Sequence, residues 1–108
     1  VIPMFNAEPW ISSTLMSVVT QTHSVSEIVV VNDGSTDNSA SKAESVLASF
    51  GIDYQVATIP NGGVSRARNL GASIAAGEVL CFLDADDLWE PDKVLRQLEL
   101  LESAELQA

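Results

Sequence analysis

The chain has 108 residues, a length that fits one domain, and its hydrophobic fraction of 46% is that of a globular protein rather than a disordered one. Fifteen acidic against five basic side chains give a formal net charge of −10. This surplus of carboxylates excludes nucleic acid and anionic membrane surfaces as partners of the segment, because their phosphates would be repelled.

Apolar, β-branched segments alternate with amphipathic stretches along the chain, which predicts alternating strands and helices. The predicted strands are residues 1–4, 27–31, 53–58 and 78–83. The predicted helical faces are Ile11, Leu15, Val18 and Val19, then Ala40, Ala43, Leu47 and Phe50, then Val64, Ala67, Gly71 and Ile74, then Val94, Leu98 and Leu101.

The starts of these strands recur about every 26 residues, a spacing typical of strand–helix units. Continuous apolar strands joined by helices favour a doubly wound, mainly parallel α/β sheet of Rossmann-like type, with right-handed crossovers. We expect residues 1–108 to form one domain of a natural chain that continues, because the last helix ends in acids without a glycine stop.

Ligands of such sheets lie beyond the carboxyl ends of the strands, where this sequence places polar loops at 3–8, 32–37 and 84–87. In the second loop Asp-Gly predicts a turn, and Ser35 or Thr36 is expected to cap the following helix. Asp33 differs because it directly ends an apolar strand. Its carboxylate could accept a hydrogen bond from the N3–H of uracil or thymine, which cytosine and adenine lack at the matching edge.

Five acids lie within the nine residues from Asp84 to Asp92. Asp84 and Asp86 end an apolar strand, and alternate strand residues point the same way, so both carboxylates could aim at one point if the extended geometry persists. Two such carboxylates repel unless a cation lies beside them, and oxygen ligands favour Mg²⁺ or Mn²⁺. The later acids, with Pro91 in its first turn, are explained by the start of the last helix.

Alternatives stay open elsewhere. Asn61-Gly62-Gly63 followed by Arg68 suits a diphosphate at a helix start, or is a glycine turn before a helix with solvated arginines. Phe5 is either a core residue or a platform for a nucleobase. Trp10, Trp89 and Cys81 are interpreted as packing residues, and His23 has no partner for metal binding.

Taken together, these segments resemble glycosyltransferase family 2, whose members have the GT-A fold. The matching stretches run in family order and cover nearly the whole chain. They are Val-Ile-Pro-Met-Phe-Asn at 1–6, Ser-Val-Val-Thr-Gln-Thr-His at 17–23, Ile-Val-Val-Val-Asn-Asp-Gly-Ser-Thr-Asp at 28–37, Asn-Gly-Gly-Val-Ser-Arg-Ala-Arg-Asn-Leu-Gly at 61–71 and Ala-Gly-Glu-Val-Leu-Cys-Phe-Leu-Asp-Ala-Asp-Asp at 76–87, followed by Pro91-Asp92.

The resemblance implies the nucleotide-sugar-binding half of an inverting, metal-assisted transferase that uses Mn²⁺ or Mg²⁺ and favours a UDP-sugar. In that family pattern Pro3 and Phe5 border the base, and Asp33 holds the uracil imide. Asp86 corresponds to the residue that reaches the metal, and Asp84 to one that contacts the ribose or the metal and its water. Glu8 and Arg68 correspond to ribose or diphosphate contacts.

The family's catalytic base, a carboxylate of the acceptor-binding half, has no counterpart here and is expected beyond Ala108. The resemblance therefore implies donor binding by this chain, and transfer to a glycan or lipid-linked acceptor, as in polysaccharide biosynthesis, only by a longer protein. A non-catalytic nucleotide-binding or interaction module is the alternative. We expect a cytoplasmic location, with any membrane attachment at the inner face outside this segment, and self-association through exposed apolar surface.

Overall fold

The computed structural model describes residues 1–107, with side chains described as far as Ser103. Within that range it has three strands and four helices. The strands are β1 (Ile2–Met4), β2 (Glu27–Asp33) and β3 (Asp53–Ile59). The helices are α1 (Ile11–Val19), α2 (Ser39–Ala48), α3 (Val64–Ile74) and α4 (Lys93–Gln107).

The strands form one parallel sheet in the order β1-β2-β3, so β2 lies in the centre. Its register pairs Ile2 with Val30 on one side and Glu27 with Asp53 on the other. Beyond Glu27 every residue of β2 is buried, as expected for a strand covered on both faces. The edge strand β3 alternates between exposed and half-buried residues.

Helices cover both faces of the sheet. Ile28 and Val30 point into a core shared with α1 and α2, whereas Val29 and Val31 point to the opposite face and pack against Ala67 of α3. This alternation follows from the two-residue period of a strand. The predicted parallel α/β sheet flanked by helices is confirmed.

The predicted strand 78–83 is wrong as a regular strand, although the segment does lie beside β1. The Val1 amine donates to the Cys81 carbonyl at 2.8 Å, and the Leu83 N–H donates to the Val1 carbonyl at 3.1 Å. These two bonds are those of one parallel pair, but β1 is only three residues long, and no further pair extends the ladder within residues 1–107. The segment therefore extends the sheet order to β3-β2-β1-segment without becoming a full strand.

Several smaller expectations are also corrected. Cys81 is only half-buried, and its neighbour Phe82 is 47% exposed. Trp10 is half exposed rather than packed, whereas Trp89 does pack against the core. Pro91 precedes α4 instead of lying in its first turn. None of the helices described here is long and apolar enough to cross a membrane.

Candidate functional site

A cavity of about 250 Å³, which we call the base pocket, lies at the carboxyl end of the sheet. It is formed by the ends of β1 and β2, the loop after β3 and the start of α3. Its lining residues are Pro3, Met4, Phe5, Asp33, Asn61, Gly63, Val64 and Ala67. The structure thus brings together three of the predicted nucleotide-binding residues. The walls are apolar apart from one carboxylate and one amide, a composition common in ligand cavities.

Asp33, the last residue of β2, supplies that carboxylate and is only 4% exposed. Its Oδ1 accepts a hydrogen bond from the Gly62 N–H at 2.9 Å, and its Oδ2 accepts one from the Gly63 N–H at 3.0 Å. The Asn61 side chain donates to the Asp33 carbonyl at 3.1 Å. These bonds fix the carboxylate, and each oxygen keeps acceptor capacity for a ligand.

The loop before α3 can approach Asp33 because glycines stand at the contact points. Gly63 has φ +99°, a conformation that L side chains rarely adopt. A Cβ on Gly34 would lie 2.7 Å from the backbone nitrogen of Asn61. The glycine turn predicted before α3 is therefore also the donor of two hydrogen bonds to the central carboxylate.

Phe5 borders the base pocket with half of its surface exposed, so it is not a core residue. Pro3, by contrast, is buried in β1 and forms part of the pocket wall. Because Phe5 is exposed, the core interpretation is wrong. Its role as a platform for a nucleobase remains a prediction.

Loop β1–α1 is fastened to loop β2–α2 by a set of hydrogen bonds that we call the loop clasp. Three successive amides of the first loop, those of Asn6, Ala7 and Glu8, donate to side-chain oxygens of Ser35, Ser39 and Asp37 at 3.0, 2.9 and 3.2 Å. In return, Asn6 Oδ1 accepts the Thr36 N–H at 2.8 Å, and Glu8 Oε1 accepts the Asn38 N–H at 2.7 Å.

The prediction that Ser35 or Thr36 caps α2 is wrong, because both residues take part in the clasp. The helix begins at Ser39 after Asn38, which makes no side-chain capping bond, so neither Ser35 nor Thr36 caps it. Instead, Asp37 Oδ1 accepts hydrogen bonds from the Ser39 N–H and hydroxyl. These bonds, the hydroxyl bond above all, lower the pKa of Asp37 below its usual range.

Glu8 is not among the lining residues of the base pocket, although the family pattern makes it a ligand contact. Its carboxylate faces the start of α2, where it complements the positive end of the helix dipole. Its backbone carbonyl accepts the Lys42 ammonium at 3.2 Å. In the structure Glu8 holds two loops together.

A second, more polar cavity of about 550 Å³, which we call the acidic pocket, lies beside segment 78–83. Its lining residues are Arg68, Phe82, Leu83, Asp84, Asp87, Leu88, Trp89 and Lys93. The Arg68 Nη2 donates to Asp84 Oδ1 at 2.9 Å, with both side chains about half exposed. Because Ala67 lines the base pocket and Arg68 the acidic pocket, α3 joins the two cavities.

The backbone does not stay extended after Leu83, so the simple alternation expected for Asp84 and Asp86 is wrong. The Asp87 N–H donates to the Asp84 carbonyl at 3.0 Å, which closes a turn at Ala85 and Asp86. Both carboxylates remain exposed at this turn. Asp84 and Asp86 lie at the carboxyl end of the sheet, as predicted. Their side chains extend from a turn and not from alternate positions of an extended strand.

Helix α1 anchors the acidic turn through polar side chains that recur on one helical face. The hydroxyl of Thr14, which is fully buried, is shared between the carbonyls of Ala85 and Asp87 at 2.9 and 2.8 Å. One turn later, Ser17 Oγ accepts the Trp89 N–H at 3.1 Å. The position of the acidic residues is thus set by α1.

Gln21, just beyond α1, completes this anchor. Its amide nitrogen donates to the Glu90 carbonyl at 2.7 Å, and its amide oxygen accepts the Val94 N–H at 3.0 Å. The residue is 7% exposed, so these bonds are sheltered from water. Gln21 therefore ties the start of α4 to the end of α1.

The acidic turn offers the donor set of a metal shared with a ligand, rather than of a metal enclosed by protein. Carboxylate oxygens suit Mg²⁺ or Mn²⁺, and Mg²⁺ is commonly held by one or two carboxylates plus phosphates and waters. Exposed Asp84 and Asp86 fit that pattern. Among the described residues no group of three or more His, Cys, Asp or Glu side chains could hold an ion by itself.

Sequence reasoning missed the residues that hold the site together. Asn6, Ser39, Thr14 and Gln21 carried no functional interpretation, and Lys93 of the acidic pocket was overlooked. One usable signal was the recurrence of Thr14, Ser17 and Gln21 on one helical face, since polar residues on a buried face need partners. The cross-loop bonds of Asn6 had no such periodic signal.

Known proteins resemble this chain both in sequence and in fold. The sequence matches the model of the family described as "Glycosyl transferase family 2" over residues 1–108. An uncharacterised glycosyltransferase of Nostoc sp. is 38% identical over 106 residues, which are 98% of this chain and 33% of the relative.

Solved structures of S. aureus TarS have the same fold. The structure in complex with UDP matches with a TM-score of 0.85 and 25% identity over 95% of this chain and 31% of that one. The structure of TarS in complex with UDP-GlcNAc matches with a TM-score of 0.78 and 30% identity over 92% of this chain and 29% of that one. The predicted GT-A architecture is confirmed. The chain spans about a third of the Nostoc relative and of TarS 1–349, and 19% of the chain in a further TarS structure.

Proposed function

The chain belongs to glycosyl transferase family 2, and we propose that it binds the nucleotide-sugar donor, preferably a UDP-sugar, for an inverting sugar transferase. One observation carries this proposal: a buried carboxylate and an exposed aromatic ring border the same cavity at the carboxyl end of the sheet. The UDP and UDP-GlcNAc bound in the TarS structures support it.

The geometry of the base pocket supports the proposed preference for uracil over other bases. Asp33 is held by two backbone amides, so its carboxylate need not reorganise when a ligand arrives. In the proposed complex its remaining acceptor capacity takes the uracil imide N–H, and the Phe5 ring stacks on the base. Pro3 closes the pocket from the side of β1.

The diphosphate is assigned to the side of α3 and the acidic pocket. After β1, the amides of Asn6, Ala7 and Glu8, which could otherwise cradle phosphate oxygens, already donate to the clasp. Arg68 is a half-exposed cation that lines the acidic pocket, one residue after Ala67 of the base pocket. In a chain of net charge −10, such a cation is needed to attract an anionic ligand.

We assign Asp86, with Asp84, to a Mn²⁺ or Mg²⁺ ion that is shared with the donor's phosphate oxygens. When bound, the ion supplies positive charge that offsets the charge growing on the departing nucleoside diphosphate. The protein's own part is to place two carboxylates at an exposed turn whose backbone Thr14 holds. Glu8 Oε1 belongs to the clasp, and a contact of this residue with the ribose or the diphosphate remains part of the proposal.

Transfer to an acceptor hydroxyl with inversion requires a general base, which we place outside residues 1–108. The acceptor, a glycan or lipid-linked saccharide, would then also be bound by parts of the full-length protein that this chain does not include. Residues 1–108 alone are thus expected to bind donor without transferring sugar.

Calorimetric titration of the chain with UDP tests the proposal. We expect binding in Mn²⁺ or Mg²⁺, much weaker binding in EDTA, and loss of the metal-dependent part in Asp86→Ala. Equal affinity with and without metal would remove the metal from the proposal, and absence of UDP binding would reject the donor site. UDP binding by a full-length protein that transfers no sugar would favour a non-catalytic nucleotide-binding module.

A further inference from the structure

Asn6 has the one left-handed backbone conformation found outside glycine in the described chain, with φ +47°. It lies directly after Phe5, in the first turn of the loop that follows β1. Asparagine tolerates this conformation better than most residues, yet it still costs free energy relative to the extended or helical regions. Such a conformation persists where surrounding contacts fix it.

Those contacts are visible on both sides of the residue. The Asn6 amide donates to Ser35 Oγ at 3.0 Å, and Asn6 Oδ1 accepts the Thr36 N–H at 2.8 Å and the Thr36 hydroxyl at 3.3 Å. Asn6 is thus bonded through its main chain and its side chain to the loop after β2. It is the member of the clasp closest in sequence to Phe5.

Phe5 itself has little to hold it. Half of its surface is exposed, and it follows the last residue of β1, so the strand does not fix its direction. The backbone that carries the ring is anchored on its carboxyl side, because the Asn6 N–H, which belongs to the Phe5–Asn6 peptide, donates to Ser35 Oγ. With Asn6 in the left-handed conformation, the ring borders the cavity that Asp33 closes.

We infer that Asn6 is a positioning residue, whose bonds to Ser35 and Thr36 hold the Phe5 ring over the base pocket for stacking on the nucleobase. The inference rests on the proposed function, since it assumes that a nucleobase occupies this pocket. Asn6 does not line the pocket, and it acts on the ligand only through Phe5.

A double-mutant cycle on UDP binding tests this assignment, with calorimetry of the chain and its Phe5→Ala, Asn6→Ala and doubly substituted variants. Because base–aromatic stacking is at stake, we expect about a tenfold loss of affinity for Phe5→Ala and a similar loss for Asn6→Ala. The double variant should lose about tenfold rather than about a hundredfold, since the second change removes nothing more.

The conservative variant Asn6→Asp keeps a side-chain acceptor and the tolerance for positive φ, so its UDP affinity should stay within about twofold of the parent. Asn6→Gly keeps the backbone freedom without the acceptor and should behave like Asn6→Ala; it replaces that variant in the cycle if Asn6→Ala does not fold.

Additive losses in the cycle, or full affinity in Asn6→Gly, would overturn the assignment while leaving the donor site intact. Failure of the parent chain to bind UDP would instead reject the proposed function, and the inference with it.

Discussion

The Arg68 guanidinium and the Asp84 carboxylate lie 2.9 Å apart, so that α3 is joined to the acidic turn by an ion pair. The same helix begins at the glycines whose amides donate to Asp33. One helix therefore connects the carboxylate of the base pocket with the carboxylates of the acidic pocket. Both cavities therefore have lining residues on α3.

Arg68→Met should weaken UDP binding about tenfold, because a charge-assisted hydrogen bond to phosphate contributes about 1.5–3 kcal/mol. The melting temperature should change little, since an exposed ion pair contributes only about 0–1 kcal/mol to stability. Arg66→Met is the matched control on the same helix, because Arg66 faces the Pro60 carbonyl. Calorimetry and thermal melting measure the two effects, and equal losses of affinity in both variants would contradict the role of Arg68.

Asp33→Asn should reduce the preference for UDP over CDP. In the parent chain UDP should bind more tightly than CDP by about 1–3 kcal/mol, the cost of leaving the buried Asp33 carboxylate without the imide N–H. Asparagine offers one acceptor oxygen where Asp33 uses two, so the N–H of either Gly62 or Gly63 also loses its partner. Competition between UDP and CDP measures the ratio, and an unchanged ratio would remove Asp33 from base selection.

Thr14→Val should lower the free energy of unfolding by about 1–3 kcal/mol, because one buried and one partly buried carbonyl lose their shared donor with little change in side-chain volume. Thr20→Val is the matched control, because the Thr20 hydroxyl donates to the Met16 carbonyl at an exposed position. This substitution should change the free energy of unfolding by less than about 0.5 kcal/mol. Urea unfolding compares them. A loss for Thr20→Val as large as for Thr14→Val would contradict the anchor.

Asp37→Asn should destabilise the chain at neutral pH and much less in acid. The hydrogen bond from the Ser39 hydroxyl lowers the pKa of Asp37 from its usual value of 3.8, so the folded state favours the charged form. That contribution is complete above pH 3.8 and is lost as the pH falls through the lower folded-state pKa. Urea unfolding of both proteins at neutral and acid pH should show their stabilities converging in acid; a constant difference would count against the bond.

The sequence pattern predicted the parts of the fold that depend on burial. The apolar run that ends at Asp33 became the central strand, and the helical stripes of α1 and α2 became part of the core. Phe50 is the exception, because it lies beyond the end of α2 and is exposed. The segment before Asp84 was mistaken for a full strand because its composition resembles that of β2. Strand formation also needs paired neighbours, and here only Val1 pairs with it.

The candidate site could be predicted where a residue's position follows from strand order, as for Asp33 and Asp84. The structure adds what depends on tertiary contact. The backbone of the turn at Ala85 and Asp86 and the left-handed backbone of Asn6 are both held by bonds to residues that are distant in sequence. Local propensity carries no record of such bonds, so the bond of Glu8 to the start of α2 has no signal in the sequence.

Backbone amide spectra recorded during a UDP titration with Mg²⁺ test the donor site most directly, because each residue reports separately. We predict that the largest chemical-shift changes fall on the amides of Gly62, Gly63 and Phe5, with smaller changes around Arg68 and none at residues 24–27 at the other end of the sheet. Changes confined to residues 24–27, or no changes at saturating UDP, would contradict the account.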